Sequence, residues 1–290
     1  MQIDTLEDFF GKGNPLDILR LDLPDPLRGG NKSFKLRYNI QEMKAAGKKK
    51  LITFGGAFSN HIAAAAAAGV KEKIQTIGII RGDELNENSN VVLRFASSCG
   101  MKFIFVSREK YRERNDPGFF ETVLENEEEF YFLPEGGSNE AAVRGCKEIL
   151  TSATEKYNSI TLPVGTGATL AGIIAAAKSH QQVTGIAVLE GRNYLENEVR
   201  KLLRNENPVA HWEINHDFTL GGYAKSSAEL EQFIREIKMR CNLQLDPVYS
   251  GKALFALYKT ETAKRHKVSS SLFIHTGGYA FTRENLQIPS

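Results

Sequence analysis

Cysteine is scarce in this chain. Cys99, Cys146 and Cys241 are the three among 290 residues, an odd number without regular spacing. That argues against a disulfide framework and a cysteine metal cluster, and predicts a reduced, cytoplasmic setting. Long apolar runs are missing as well: no stretch of about 18 residues could cross a bilayer. Neither sign of charge dominates. Lys and Arg number 37 against 35 Asp and Glu, a net charge of +2, which points away from nucleic acid and from an anionic membrane as main partners. The first residues, MQIDTLEDFFGKG, are acidic and lack the apolar core of a signal peptide. The six histidines show no metal-ligand spacing. There is no G-x-S-x-G elbow around Ser59 and no internal repeat.

What is present is an alternation of short apolar strands and helical stretches. Leu51–Phe54, Ile74–Ile80, Lys102–Val106, Phe130–Leu133, Ser159–Val164, Val183–Val188, Ala210–Ile214 and Leu272–Ile274 read as strands, most of them too apolar to have a wet face. Helical patterns lie between them, including Leu36–Ala46, Ile62–Ala68, Glu140–Lys156, Ser227–Cys241 and Gly251–His266. Residues 1–30 read as irregular apart from an alternating Ile18–Leu23. Buried strands separated by helices predict parallel βαβ units. A length of 290 residues allows two α/β lobes, with ligands expected at the strands' C-terminal ends and between the lobes.

Gly29-Gly30-Asn31-Lys32-Ser33-Phe34-Lys35 places two lysines three apart at a helix entrance. Desolvation and the positive end of a helix dipole both disfavour an ammonium there, and a lysine that attacks a carbonyl must be neutral. Taken alone, the pair reads more readily as two solvated lysines, and the rest of the chain changes that balance. Three turns read as one form, a buried strand, then glycine with small hydroxyl residues, then a helix N-terminus: Gly55–His61, Gly165–Thr169 and Thr276–Gly278. Glycine permits close backbone approach, and free amides at a helix start attract anions. The first two therefore read as two anion sites, one for a phosphate and one for a carboxylate. In isolation a simple turn explains Gly165–Thr169 as readily, and a Ser or Asn cap is the better reading of Ser59–His61. Gly165-Thr166-Gly167 could also open a dinucleotide site, but the third glycine is out of register and the Lys-Ser/Thr of a P-loop is absent.

Assembled in order, GGNKSFKLRY, GGAFSNH, GGSN, VGTGATLAG, LDPVYSGKAL and HTGG resemble the 1-aminocyclopropane-1-carboxylate deaminase / D-cysteine desulfhydrase family of pyridoxal-phosphate enzymes. The resemblance runs from about Gly29 to Gly278. It implies an α/β, two-lobed, tryptophan-synthase-β-like fold (fold type II), with residues 1–38 and 139–290 in the larger, cofactor-binding lobe and 39–138 in the smaller. It implies pyridoxal 5'-phosphate as cofactor, a small amino acid as substrate and, from the family's habit, a homodimer. Lys35 matches the lysine that carries the cofactor, and Lys32 a family lysine that does not. Asn60 matches the residue that meets the cofactor's 3-hydroxyl. Ser59 matches a serine beside the substrate carboxylate, also discussed as a proton-transfer group, and the amides of Asn60 and His61 would help hold that carboxylate. Gly165, Thr166, Gly167, Ala168 and Thr169 match the phosphate loop. Tyr223 and Tyr249 match active-site tyrosines.

Ser250 stands where the family places the partner of the pyridine nitrogen. The deaminase branch has Glu there, which keeps the nitrogen protonated. A serine hydroxyl acting as donor to a neutral nitrogen implies a weaker electron sink, sufficient for β-elimination. His61 agrees, since the deaminase branch tends to have Gln after Ser-Asn. The expectation is therefore a lyase of the D-cysteine desulfhydrase kind. The alternatives are the cyclopropane deaminase, a D-serine-type dehydratase, or a cofactor-binding carrier or regulator with little turnover. Phe34 in place of the usual Arg, and Ala57-Phe58 in place of Ile-Gln, mean different pocket walls.

Overall fold

A computed structural model describes residues 1–23, 29–116, 118–124, 129–191, 194–222, 225–263 and 270–278. Ten strands and ten α-helices are assigned among them. In chain order these are β1 (Gln2–Leu6), β2 (Leu16–Arg20), α1 (Asn31–Ala45), β3 (Lys50–Gly56), α2 (Asn60–Glu72), β4 (Gln75–Arg81), α3 (Val91–Ser98) and β5 (Lys102–Val106). Then come α4 (Arg108–Arg112), α5 (Phe119–Val123), β6 (Phe130–Leu133), α6 (Glu140–Lys147), β7 (Ser159–Val164), α7 (Ala168–Ala176) and β8 (Gln182–Ala187). The last are α8 (Tyr194–Leu202), β9 (His211–Asn215), α9 (Ala228–Cys241), α10 (Ser250–Ala263) and β10 (Ser271–His275).

The strands form two sheets, one of six in the order β1-β2-β10-β7-β8-β9 and one of four in the order β5-β4-β3-β6. Every pairing is parallel except β1 with β2. Parallel sheets need both faces covered, and the side chains alternate accordingly. Along β10, Leu272 and Ile274 join one core with Ile160, Leu170 and Ile173, while Phe273 joins the opposite core with Ile18, Phe233 and Leu254. In the smaller sheet Leu51 and Ile80 face α2 and α3, and Ile52, Phe54 and Ile79 face the aromatic cluster of Tyr111 and Phe119.

Several elements differ from the sequence reading; β2 lies at Leu16–Arg20 rather than Ile18–Leu23. β1 was not expected, because its polar alternation carries little signal. It is held from outside, by pairing with β2, by the Thr5 hydroxyl donating to Asp17 (2.7 Å) and by an Arg20–Asp4 ion pair (2.6 Å). Helix α1 begins at Asn31, five residues before the expected start, so Lys35 lies inside the helix. Helix α2 runs past Gly69 to Glu72 and ends at Lys73, whose φ is 56°. Helix α6 stops at Lys147, and a single turn capped reciprocally by Thr151 and Thr154 takes over at 152–154. Among the described residues, no helix is long and apolar enough to cross a membrane.

Candidate active site

The two sheets bring their glycine turns to one cavity of about 550 Å³. The turns after β3 and β7 both leave the C-terminal ends of parallel strands, where ligands bind in open α/β sheets. The segment carrying Lys35 is locked to the turn after β10. Gly30, at φ 65°, approaches so closely that a Cβ there would lie 2.1 Å from the Thr276 carbonyl oxygen. The Asn31 amide donates to that oxygen at 3.1 Å. Two of the family's motifs thus meet back to back. On the other side, α1 presses on α6 at Gly145, where a Cβ would lie 2.0 Å from the Phe34 carbonyl oxygen.

Lys35 is 2 % exposed at the cavity floor. Its Nζ donates to the Gly136 carbonyl at 2.9 Å and more weakly to Thr166 Oγ1 at 3.4 Å. Burial lowers its pKa to about 8. Among the described residues, no carboxylate is among the groups acting on it. Lys32 also lines the cavity, and burial followed by the neighbouring charge of Lys35 lowers its pKa well below the ordinary lysine value.

Around the amine the turn 165–169 is fixed by side chains. Ser138 Oγ donates to Thr166 Oγ1 at 2.5 Å, and Asn31 Nδ2 donates to Thr169 Oγ1 at 2.8 Å. Gly167, at φ 90°, is the residue before α7 and supplies no side-chain cap. The first amides of α7, which have no intrahelical acceptor, are left for an anion. Tyr249 packs over the same turn, with Cε1 3.1 Å from where a Gly165 Cβ would stand.

At the facing turn Ser59 caps α2, its Oγ accepting from the Ile62 amide at 3.3 Å. Asn60 and His61 form the first turn of α2. Asn60 Nδ2 lies 3.1 Å from the Cβ position of Gly278, so the turns after β3 and β10 touch. His61 is buried at 2 % exposure, and its Nε2 is 2.8 Å from Thr53 Oγ1. Burial first, then the charges of Lys32 and Lys35, holds its pKa well below the ordinary histidine value.

The structure therefore brings Lys35, Ser59, Asn60, His61, Gly165, Thr166, Gly167, Thr169 and Tyr249 to one cavity. Ala168 is buried behind it at the start of α7. Ser250 does not reach the cavity wall. It is fully buried, and its hydroxyl donates to Asp246 Oδ2 at 2.6 Å. Tyr223 lies outside the described residues.

Sequence reasoning overlooked Asp246, the supports Gly136 and Ser138, and Lys252. The Lys252 amine is buried and donates to the carbonyls of Thr219 (2.8 Å) and Gly222 (2.7 Å), the loop that leads to position 223. The spacing Asp246-x-x-x-Ser250 ahead of a helical run was a cap signal that could have exposed the first of these.

Known proteins give the site its context. A family model described as "Pyridoxal-phosphate dependent enzyme" matches residues 21–277. The bifunctional D-cysteine desulfhydrase/1-aminocyclopropane-1-carboxylate deaminase of Arabidopsis thaliana is 29% identical over 92% of this chain and 73% of its own length. The D-cysteine desulfhydrase of Serratia proteamaculans is 24% identical over 96% and 90%. A solved structure of an ACC deaminase homologue superposes with a TM-score of 0.78 at 27% identity, covering 97% of this chain and 90% of the other. With the match spanning nearly all of both sheets, the chain belongs to the family of pyridoxal-phosphate-dependent enzymes of fold type II.

Proposed function

We propose that this enzyme eliminates a β-substituent from a small D-amino acid, with D-cysteine as the reference substrate and pyruvate, ammonia and sulfide as products. One observation carries the reading: a buried amine of lowered pKa lies between two glycine turns that open helices in a single cavity. Relatives named D-cysteine desulfhydrase support it.

The residues present fit pyridoxal phosphate. The turn 165–169 at the start of α7 offers amides to a phosphate, and Lys35 offers an amine to an aldehyde. When bound, that cofactor supplies the aldehyde and a ring able to take up the electron pair left by an α-proton. The protein's own contributions follow from position. Lys35 takes the α-proton, and a pKa near 8 raises its share of free base at neutral pH by about two orders of magnitude over an ordinary lysine. The first turn of α2, at Ser59, Asn60 and His61, holds the substrate carboxylate. Ser59 is the second candidate for moving that proton. Tyr249 closes the phosphate side against water.

A second reading, 1-aminocyclopropane-1-carboxylate deaminase, is favoured by the engagement of Ser250. Its proton is committed to a carboxylate, so the position is not the free donor that set the cyclopropane substrate aside.

The test is an absorption spectrum of the purified protein before and after D-cysteine, with product analysis. A visible band that shifts as pyruvate appears is expected, and Lys35→Ala loses both. With 1-aminocyclopropane-1-carboxylate, formation of 2-oxobutyrate faster than pyruvate from D-cysteine would give the second reading precedence. If Lys35→Ala kept band and turnover while Lys32→Ala lost them, the lysine assignment would be wrong.

A further inference from the structure

The wall of the cavity formed by the end of β4 has no role in the chemistry just described. Arg81 is the last residue of β4 and stands in register with Gly56 of β3. Its guanidinium therefore leaves the sheet beside the turn that leads to Ser59. Arg81 Nη2 lies 3.6 Å from the Cβ position of Gly56. Arg81, Arg108 and Glu135 line the main cavity and also a second one of about 360 Å³, whose other walls are Tyr111, Arg112 and Arg114. The shared walls make the second cavity a side chamber of the first.

The charges in this chamber do not balance. Arg108 pairs with Glu84, and Arg114 pairs with Glu135 at 2.9 Å. The Tyr111 hydroxyl donates to the same Glu135 at 2.8 Å. Arg81 and Arg112 have no carboxylate partner among the described residues. Arg81 makes a cation–π contact, its Cζ 5.8 Å from the Tyr111 ring centroid, which leaves the guanidinium's fork of donors available. A planar fork at this place suits a carboxylate, sulfonate or phosphate, the groups that arginine recognises with two parallel hydrogen bonds.

We infer that Arg81 selects amino-acid substrates carrying a second anionic group on the side chain, with Arg112 adding to the field of the chamber that receives it. The inference rests on the amino-acid chemistry proposed for the same cavity. The α-carboxylate is held at the start of α2 and the second anion is drawn to the neighbouring strand end, so one ligand spans both turns.

The experiment compares two unreactive probes on the holoenzyme by titration calorimetry at fixed ionic strength: succinate, with two carboxylates, and butyrate, with one. Succinate is expected to bind at least about fivefold more tightly, about 1 kcal/mol, a modest ratio because Arg81 is solvent-exposed. In R81Q the ratio falls toward one, R81K restores part of it, and R112Q lowers it less. Added salt reduces the wild-type ratio. Equal binding of the two probes by the wild type, or a ratio untouched in both R81Q and R112Q, would overturn the inference. Failure of D-cysteine to give pyruvate would count against the proposed reaction, while the ratio of probe affinities would still decide the role of Arg81.

Discussion

Ser250 and Asp246 are joined twice. The serine hydroxyl donates to Asp246 Oδ2 at 2.6 Å, and the Asp246 amide donates back to Ser250 Oγ at 2.9 Å. The same carboxylate accepts from the amides of Val248 (2.9 Å), Tyr249 (2.6 Å) and Ser250 (2.9 Å). It thereby holds the turn that leads into α10 and satisfies the amide of Ser250, the first residue of that helix. The Ser250 proton is thereby committed to a buried carboxylate, where the sequence suggested a free hydroxyl donor.

This pair sets an order of stabilities. Ser250→Ala removes one donor of several and is expected to cost about 1–2 kcal/mol. Asp246→Ala strands three amides and a hydroxyl in a buried place and should cost clearly more, about 2–4 kcal/mol. Ser250→Glu would set a second carboxylate against Asp246. Like charges raise the folded pKa of the introduced acid, so that variant keeps its stability at low pH and loses it as pH rises through that pKa. Urea midpoints at pH 5 and pH 8 check all three. Equal losses for Ser250→Ala and Asp246→Ala would contradict that role of Asp246.

His61 should be an acid-sensitive weak point that does not titrate in the folded enzyme. Thr53 gives its own proton to the Leu133 carbonyl at 2.9 Å, so it accepts from His61 Nε2–H. Its Nδ1 is buried and without a partner among the described residues, so a second ring proton would find no acceptor, and burial with the charges of Lys32 and Lys35 keeps the ring neutral. Unfolded histidine takes up a proton below pH ~6.5 and the folded ring does not. Stability then falls as pH drops below ~6.5, by about 1.4 kcal/mol per pH unit until the folded pKa is reached. The loss between pH 7.5 and 5.5 should be smaller in His61→Gln. An imidazole resonance of His61 that shifted between pH 8 and 6 would contradict the buried neutral ring.

These relationships were unequally legible in the chain. The apolar runs of β3, β4, β7 and β8 announced parallel strands because both of their faces are buried. The glycine-rich turns were visible because close approach demands glycine, as the contact of Gly30 with Thr276 shows. Pairing between distant segments was not visible. β1 is a strand because β2 is beside it, and Arg81 faces the cavity because β4 stands in register with β3. Ser250 was read as an isolated hydroxyl and Asp246 was passed over, whereas what matters is the hydrogen bonds that a helix entrance folds between them. Helix α1 began early because its first amide finds an acceptor in Thr276, 245 residues away by number.

The last expectation concerns what the reactive amine costs the fold. Lys35 has a pKa of about 8 in the folded protein, lowered by burial from an ordinary value of 10.5. In the unfolded chain the amine holds its proton up to ~10.4. Between these two values the unfolded state binds more protons, so stability rises with pH there; below pH 8 the full penalty is present, at most about 3 kcal/mol. Lys35→Met removes the buried charge but leaves the Gly136 carbonyl without its donor, a loss of about 1 kcal/mol. The cofactor-free variant is therefore expected to be more stable than the cofactor-free wild type at pH 7, by about 1–2 kcal/mol. That advantage should shrink above pH 8 and vanish or reverse by pH 10, as measured by urea denaturation. A variant no more stable at pH 7, or one whose advantage persisted at pH 10, would mean that the Lys35 amine titrates like a solvated one.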